Sequence, residues 1–475
     1  MRIMKSKFAA FVMLFSAVFV LASCLSTDDN YTYTDDSAIT SFSITSGKKY
    51  SYVKSSTGED SLVTSDITLS SYKFYIDQAD SVIYNPDSLP CGVDARKLLC
   101  SVSSLNSGTV VIKSATSDTL QFVSSTDSID FSVDRQLQVY SNSGLAVRKY
   151  TVKVNVHKEQ PDSFAWHAVP ACEALKELSG VRTAATDGGI LLFGTDGEKT
   201  VVFRGGDSGW TYCPPDFNHT LAADAYKGVV VKDGLAYVSD GGTIMCTTDG
   251  EHWAVTGTAT AITRLVAASR FRLYGYATDG RFMASADNGK TWSAATTDED
   301  VTLLPTDETA YVAVPVKTNS LTDRVLLFGT RDKALYPGDK TLTVWGHIDE
   351  GAEGSESQPW SYYDVAAENT HKAPLLSCIS AVAYDDAVFV LGSKDDAKPA
   401  LYKTLDNGIT WNADTTLTIP DDFGESLPAS GGYKAFSITA DKNNVLWLVN
   451  ARNGMAWRGR INRLGWKKEQ TEFNK

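Results

Sequence analysis

Apolar and polar residues alternate along most of this chain in short runs, and turn residues interrupt the runs before a helical period can build. The alternation is clearest at 150–156. There Tyr150, Val152, Val154 and Val156 point one way, and Thr151, Lys153 and Asn155 the other. Upstream, Ile39–Ile44, Ser61–Leu69, Lys73–Ile76, Thr109–Lys113, Leu120–Phe122 and Gln136–Tyr140 read as further short strands. About seven such strands over residues 37–158 predict an immunoglobulin-like β-sandwich.

From 160 to 475 the pattern becomes a repeat: an apolar strand, a strand ending in Gly or Asp, a third strand, a turn, and a strand opened by Trp. Trp210, Trp253, Trp292, Trp360, Trp411 and Trp466 mark the repeats, with early spacings near the ~40 residues of a four-stranded propeller blade. The expected blades cover Arg182–Cys213, Gly228–Thr256, Arg264–Ala295, Thr309–Asp364, Cys378–Asp414 and Tyr433–Lys468. Phe164–Val169 is left over. It either closes the ring beside the last blade or belongs to a degenerate seventh. The fold class is therefore all-β: a sandwich followed by a six-bladed propeller, or a seven-bladed one.

The turns carry a motif. Ser285-Ala286-Asp287-Asn288-Gly289-Lys290-Thr291-Trp292 and Thr404-Leu405-Asp406-Asn407-Gly408-Ile409-Thr410-Trp411 share one pattern. Thr247-Thr248-Asp249-Gly250-Glu251-His252-Trp253 is one residue shorter, and Asp207-Ser208-Gly209-Trp210 keeps the core. The carboxylate can accept from turn amides, the glycine can take a positive φ, and the Trp packs into the next strand. These segments resemble the Asp-box of sialidase-like and related BNR-repeat propellers, whose boxes lie away from the ligand face. In that family an arginine opens the first blade as part of a carboxylate-binding triad. Val181-Arg182-Thr183 occupies the matching place, with Thr183 and Ala184 where the family has Ile and Pro. The resemblance makes Arg182 the candidate catalytic residue, and no Tyr–Glu nucleophile pair accompanies it. A second candidate is the acidic insertion of the fourth blade. There Asp349, Glu350, Glu353 and Glu356 lie between Trp345 and Trp360 and could contact a sugar or a cation.

The N-terminus adds an address. Arg2, Lys5 and Lys7 precede the apolar run Phe8–Ala22, which is shorter than the ~20 residues a spanning helix needs. Leu21-Ala22-Ser23-Cys24 resembles a bacterial lipobox, so residues 1–23 are expected to be removed and Cys24 lipidated. Residues 24–36, with Asp28 and Asp29, read as a tether and resemble the acidic export signal of Bacteroidota lipoproteins. Asp130-Phe131-Ser132, Leu137–Ser141, Gly144 and Tyr150–Val154 similarly resemble the ending of Ig-like domains in Bacteroidota surface lipoproteins. The resemblance implies an outer-membrane lipoprotein facing the cell exterior, held to the membrane by its lipid.

Charge and composition narrow the partners. The net charge is −13, with no Lys/Arg cluster beyond the N-terminus, which argues against nucleic acid. Seven cysteines include Cys91 and Cys100, which either bridge a loop or stay buried thiols like Cys172, Cys213, Cys246 and Cys378. No spacing of Cys or of the six His residues suggests a metal, and no cofactor motif is present. The expected function is non-catalytic binding of a glycan or protein. A sialidase-like glycoside hydrolase and an envelope assembly factor are the alternatives.

Overall fold

The computed structural model describes residues 33–54, 60–217, 220–351, 358–364, 369–394, 397–425, 427 and 433–465. Regular structure among them is β-strand with short 3-10 turns. Cys24 and its flanks, Glu353, Glu356 and Trp466 lie outside the described residues. The chain divides into two compact units, with the break between Gln160 and Pro161.

Among the described residues the first unit holds two sheets. In one, Ile39–Lys54 lies between Asp60–Thr68 and Leu99–Ser104. The other has six strands, in the order Tyr75–Asp77, Val82–Tyr84, Val147–Lys153, Arg135–Tyr140, Thr109–Lys113, Leu120–Phe122. Val82–Tyr84 runs parallel to Val147–Lys153, and its other neighbours pair antiparallel. Ile39, Phe42 and Ile44 from the small sheet join Leu137, Val139, Tyr150 and Val152 from the large one in a single buried core. Phe131 enters that core while Asp130 Oδ1 accepts the Ser132 amide at 2.9 Å, so the Asp-Phe-Ser turn places its ring inward. Tyr150 is buried and its hydroxyl stays satisfied, accepting from the Ile39 amide and donating to Gln78 Oε1 at 2.6 Å.

Among the described residues the second unit contains six four-stranded antiparallel sheets. Their innermost strands are Gly180–Thr186, Val230–Lys232, Ile262–Ala268, Thr309–Pro315, Ser377–Tyr384 and Phe436–Ala440. Each contacts the next, and the last contacts the first, so the strands close a ring and the unit is a β-propeller. The second strand of each sheet lies between neighbouring sheets. This is why Leu191-Leu192-Phe193, Val325–Phe328, Val388–Leu391 and Leu446–Val449 read as unbroken apolar runs and are buried.

The outermost strand of the last sheet is not the expected 466–468. Trp166–Val169 fills that place, pairing antiparallel with Met455–Gly459 in the register Trp166 to Gly459. The leftover segment is thus the fourth strand of an existing sheet, and it joins the two ends of the unit. The reason is the edge: unpaired, Met455–Gly459 would present a row of bare amides and carbonyls.

In three sheets the turn after the third strand follows one plan. Asp287 Oδ1 accepts from the Thr291 amide at 2.8 Å and from the Ser285 hydroxyl at 2.8 Å, and Oδ2 accepts from the Thr291 hydroxyl at 2.6 Å. Asp406 repeats these bonds with Thr410 and Thr404. The Thr291 hydroxyl and amide hold the Asp287 carboxyl down to about 2. Trp292, Trp411 and Trp253 each donate Nε1 to the carbonyl of the turn glycine, at 3.1, 2.9 and 3.0 Å. The glycines sit at φ +90, +98 and +80°, and each faces a side chain of the preceding sheet: Gly289 on Ile244, Gly408 on Val344, Gly250 on Val202. A Cβ at 289 would lie 2.8 Å from Ile244 in a backbone region disfavoured for L-residues. Gly289→Ala is therefore expected to lower propeller stability by ~1–2 kcal/mol. Urea unfolding followed by Trp fluorescence checks this, and an unchanged midpoint would show that the turn relaxes freely.

Candidate functional site

Strand direction sorts the candidate residues. In the first five sheets the chain enters at the innermost strand and leaves at the outermost. The first connection and the Asp-containing turns therefore share one face, and the starts of the inner strands open on the other. That second face carries the mouth of the axial channel.

Arg182, two residues into the first inner strand, crosses this channel. It donates from Nη1 to the Val229 carbonyl of the second sheet at 3.4 Å, and from Nη2 to the Thr309 carbonyl of the fourth. Tyr311 crosses from the fourth sheet to the second. Its hydroxyl donates to the Val231 carbonyl at 3.3 Å and accepts the Val231 amide at 2.6 Å. Arg182 keeps some accessible surface because the channel reaches it, yet it sits deep within protein. Burial, and then the nearby Arg264, lower its pKa to about 10.

Arg182 separates two compartments. The mouth, about 140 Å³, is lined by Tyr226, Lys227, Asp307, Glu308, Cys378 and Ser437 among others. Arg264 stands beside it, donating to the Asp307 and Thr306 carbonyls at 3.2 and 2.9 Å. Glu308 accepts the Ile379 amide at 3.0 Å, and burial pushes its carboxyl above the ordinary value. Thr183 and Ser437 share a hydrogen bond of 2.7 Å and Ser437 and Ser380 one of 3.0 Å, which ties together the inner strands of sheets one, five and six. The second compartment is a stem of about 300 Å³ that runs from Arg182 and Tyr311 towards the ends of the inner strands.

The acidic insertion is not a ligand loop in its described part. Asp349 has no exposed surface; it accepts from the Ser269 hydroxyl, from Arg272 Nη1 and from the Tyr274 hydroxyl at 2.9 Å. Trp345 and Trp360 are 0% and 1% exposed. Trp345 donates Nε1 to the Leu303 carbonyl at 3.1 Å, and Trp360 stacks on His347 at 4.9 Å. Asp349 and Glu350 end their strand on the face opposite the mouth, and of the four carboxylates Glu350 alone among the described ones is half exposed. Asp349 and Trp345 belong to a third strand wedged between sheets, not to the loop after it, where Glu353 and Glu356 lie outside the described residues.

Sequence reasoning missed the other mouth residues. A positional signal existed: Tyr226-Lys227, Asp307-Glu308 and Cys378 each lie at or just before the start of an inner strand, the end that faces the mouth. No disulfide joins the six described cysteines, Cys91 and Cys100 included; burial pushes the Cys100 thiol up to about 11. Among the described residues no group of three His, Cys, Asp or Glu is placed to hold a metal.

The ring of sheets and its crossed channel define a β-propeller protein with a second, smaller β-domain. The chain belongs to the DUF6242 family: residues 160–469 match the DUF6242 beta propeller domain and residues 42–154 the DUF6242 N-terminal domain. No curated protein matches the chain. Solved structures similar to it include an Aleuria aurantia lectin in complex with Fucalpha1-6GlcNAc, at 14% identity and TM-score 0.35, covering 57% of this chain and 89% of the lectin. Another is a Trichoderma reesei protein of Carbohydrate-Active Enzymes Family AA12, at 12% identity and TM-score 0.34, covering 63% of this chain and 96% of that one.

Proposed function

We propose that this protein is a lipid-anchored, surface-facing lipoprotein whose six-bladed propeller binds a glycan or protein without transforming it, on the face where the inner strands begin. The Ig-like unit serves as the spacer between the anchor at Cys24 and the propeller. The observation that supports this most is the mouth itself. Tyr226 and Lys227, Asp307 and Glu308, and Cys378 converge from three sheets on one opening, with Arg264 beside it, on the face opposite the Asp-containing turns. Mixed charge and hydroxyls around a rim suit a polar ligand that makes several hydrogen bonds. Arg182 is held by backbone carbonyls below this rim, a place from which it closes the channel.

The test uses the full chain on glycan arrays and in pull-downs from solubilised envelopes, beside a panel of fluorogenic glycosides. Expected is saturable capture that falls at least tenfold in Lys227→Glu with the melting temperature unchanged. Turnover of a sialoside would replace this reading with the hydrolase. For the anchor, Cys24→Ala should abolish palmitate labelling and release the chain from membranes. Protease treatment of intact cells should remove the propeller, and a protected propeller would refute surface exposure.

A further inference from the structure

Beside the mouth, the connection between the second and third strands of the fourth sheet folds back on itself. Asp332 starts the fold: its Oδ1 accepts the Ala334 amide at 2.8 Å, and its carbonyl accepts the Tyr336 amide at 2.8 Å. The Asp339 amide then donates to the Tyr336 carbonyl at 3.3 Å across Pro337-Gly338, a turn pair that brings Asp339 back to Arg331. Arg331 donates from Nε and Nη2 to the two Asp339 oxygens at 2.9 and 2.6 Å, a bidentate pair. Its Nη1 donates to the Thr302 carbonyl at 3.3 Å, and its guanidinium carbon lies 3.8 Å from the centre of the Tyr336 ring.

This pair is held but not sealed. The Arg331 and Asp339 side chains are 14% and 24% exposed, and both line a pocket of about 280 Å³ with Lys333, Tyr336, Pro337 and Leu375. Leu375 belongs to the segment that enters the fifth sheet, which the Leu342 amide ties to the fourth through the Ala373 carbonyl at 3.2 Å. Thr330 completes the wall, and its carbonyl accepts the Thr306 and Asp307 amides at 3.0 Å each. Asp307 lines the mouth, so the pocket and the mouth open on one face as neighbours.

The lining narrows the ligand's chemistry. An anion would compete with Asp339 for the guanidinium, and a cation would meet Arg331 and Lys333. Neutral hydroxyls suit both members of the pair. Three of the five guanidinium N–H groups are used, which leaves two, and each carboxylate oxygen keeps acceptor capacity. Two adjacent hydroxyls can accept from the first and donate to the second. Tyr336, Pro337 and Leu375 add an apolar wall for C–H groups. The volume falls just below the ~300–1,000 Å³ of drug-sized sites, which suits one ring rather than a chain.

We infer that this pocket binds a single neutral sugar ring, with adjacent hydroxyls on the Arg331–Asp339 pair and the ring's C–H groups against Tyr336, Pro337 and Leu375. Thr302 and Tyr336 fix the guanidinium before the ligand arrives, so little ordering is lost on binding. The site is distinct from the mouth and does not depend on what the mouth holds.

Calorimetry of the full chain in a polyoxyethylene detergent tests this with the methyl glycosides of glucose, galactose and mannose, and with cyclohexanol and acetate as controls. At least one glycoside should bind saturably and at least tenfold tighter than cyclohexanol, which has a ring but a single hydroxyl. Acetate should not compete. Asp339→Asn and Tyr336→Ala should each weaken the glycoside at least tenfold. Should either variant not fold, Leu375→Trp narrows the pocket, keeps the Arg331–Asp339 pair, and should weaken binding to the same extent. Lys227→Glu, at the mouth, should leave this binding unchanged. Absence of glycoside binding, equal binding of cyclohexanol, competition by acetate, or a response that survives both Asp339→Asn and Leu375→Trp would overturn the assignment. A response lost in Lys227→Glu and kept in Asp339→Asn would put the sugar at the mouth and overturn it as well.

Discussion

Asp349→Ala is expected to destabilise the propeller by about 3–5 kcal/mol, the cost of removing one partner from a buried ion pair. The carboxylate has no exposed surface, and the Arg272 side chain facing it is 20% exposed. Its loss would strand the Ser269 and Tyr274 hydroxyls as well as the guanidinium. Ser269 also accepts the Phe271 and Arg272 amides at 2.9 Å each, so the first connection of the third sheet is built around this oxygen. Asp323, bound to Arg270 and to its amide, secures the same connection from the fourth sheet. Both pairs tie the first connection of the third sheet to the fourth sheet. Urea unfolding by Trp fluorescence measures the effect, with Asp349→Asn expected to fall between wild type and alanine. A shift below ~1 kcal/mol would mean that the carboxylate does not hold the seam.

Acidification should destabilise the same region through His347. The ring is 3% exposed, and neither nitrogen has a well-formed hydrogen bond among the described residues; the Pro359 carbonyl favours the protonated ring. Burial, aided by Arg272, lowers its pKa to about 4. The folded value lies below the unfolded ~6.5, so the unfolded chain takes up the proton first as pH falls. The full stability is present above pH ~6.5. It declines progressively down to pH ~4, by on the order of 3 kcal/mol, and the contribution is constant below that. Asp349, 3.9 Å away, favours the protonated ring, but that attraction is outweighed by desolvation and by Arg272. His347→Phe keeps the stack on Trp360 and removes the titration. Its melting temperature should exceed wild type at pH 4.5 and approach it at pH 8. Parallel curves for the two proteins across that range would refute the assignment.

The strand repeat was legible because each propeller blade is built locally. A four-stranded antiparallel sheet needs its turns at regular spacing, and Asp287, Gly289 and Trp292 complete most of their bonds within one turn. Local bonding of this kind leaves a motif of residue types at set intervals. The alternation at Tyr150 and Val152 is likewise a one-strand property, and both side chains are buried as their spacing implies. Asp349 shows where such reasoning stops. In the sequence it begins an acidic stretch. In the fold it ends a third strand whose neighbours, Ser269, Arg272 and Tyr274, come from the preceding sheet, and no local pattern encodes that adjacency.

The sequence by itself determined the all-β class, the propeller and the turn chemistry, since these follow from contacts a few residues apart. Only the tertiary structure decided three things. Trp166–Val169 is the outer strand of the last sheet, because an unpaired edge must find a partner and its partner lies almost the whole unit away in sequence. Arg182 spans the channel from the first sheet to the fourth, because ring closure brings opposite inner strands within reach of one long side chain. The mouth gathers Lys227, Glu308 and Cys378, which ring geometry alone brings to one opening.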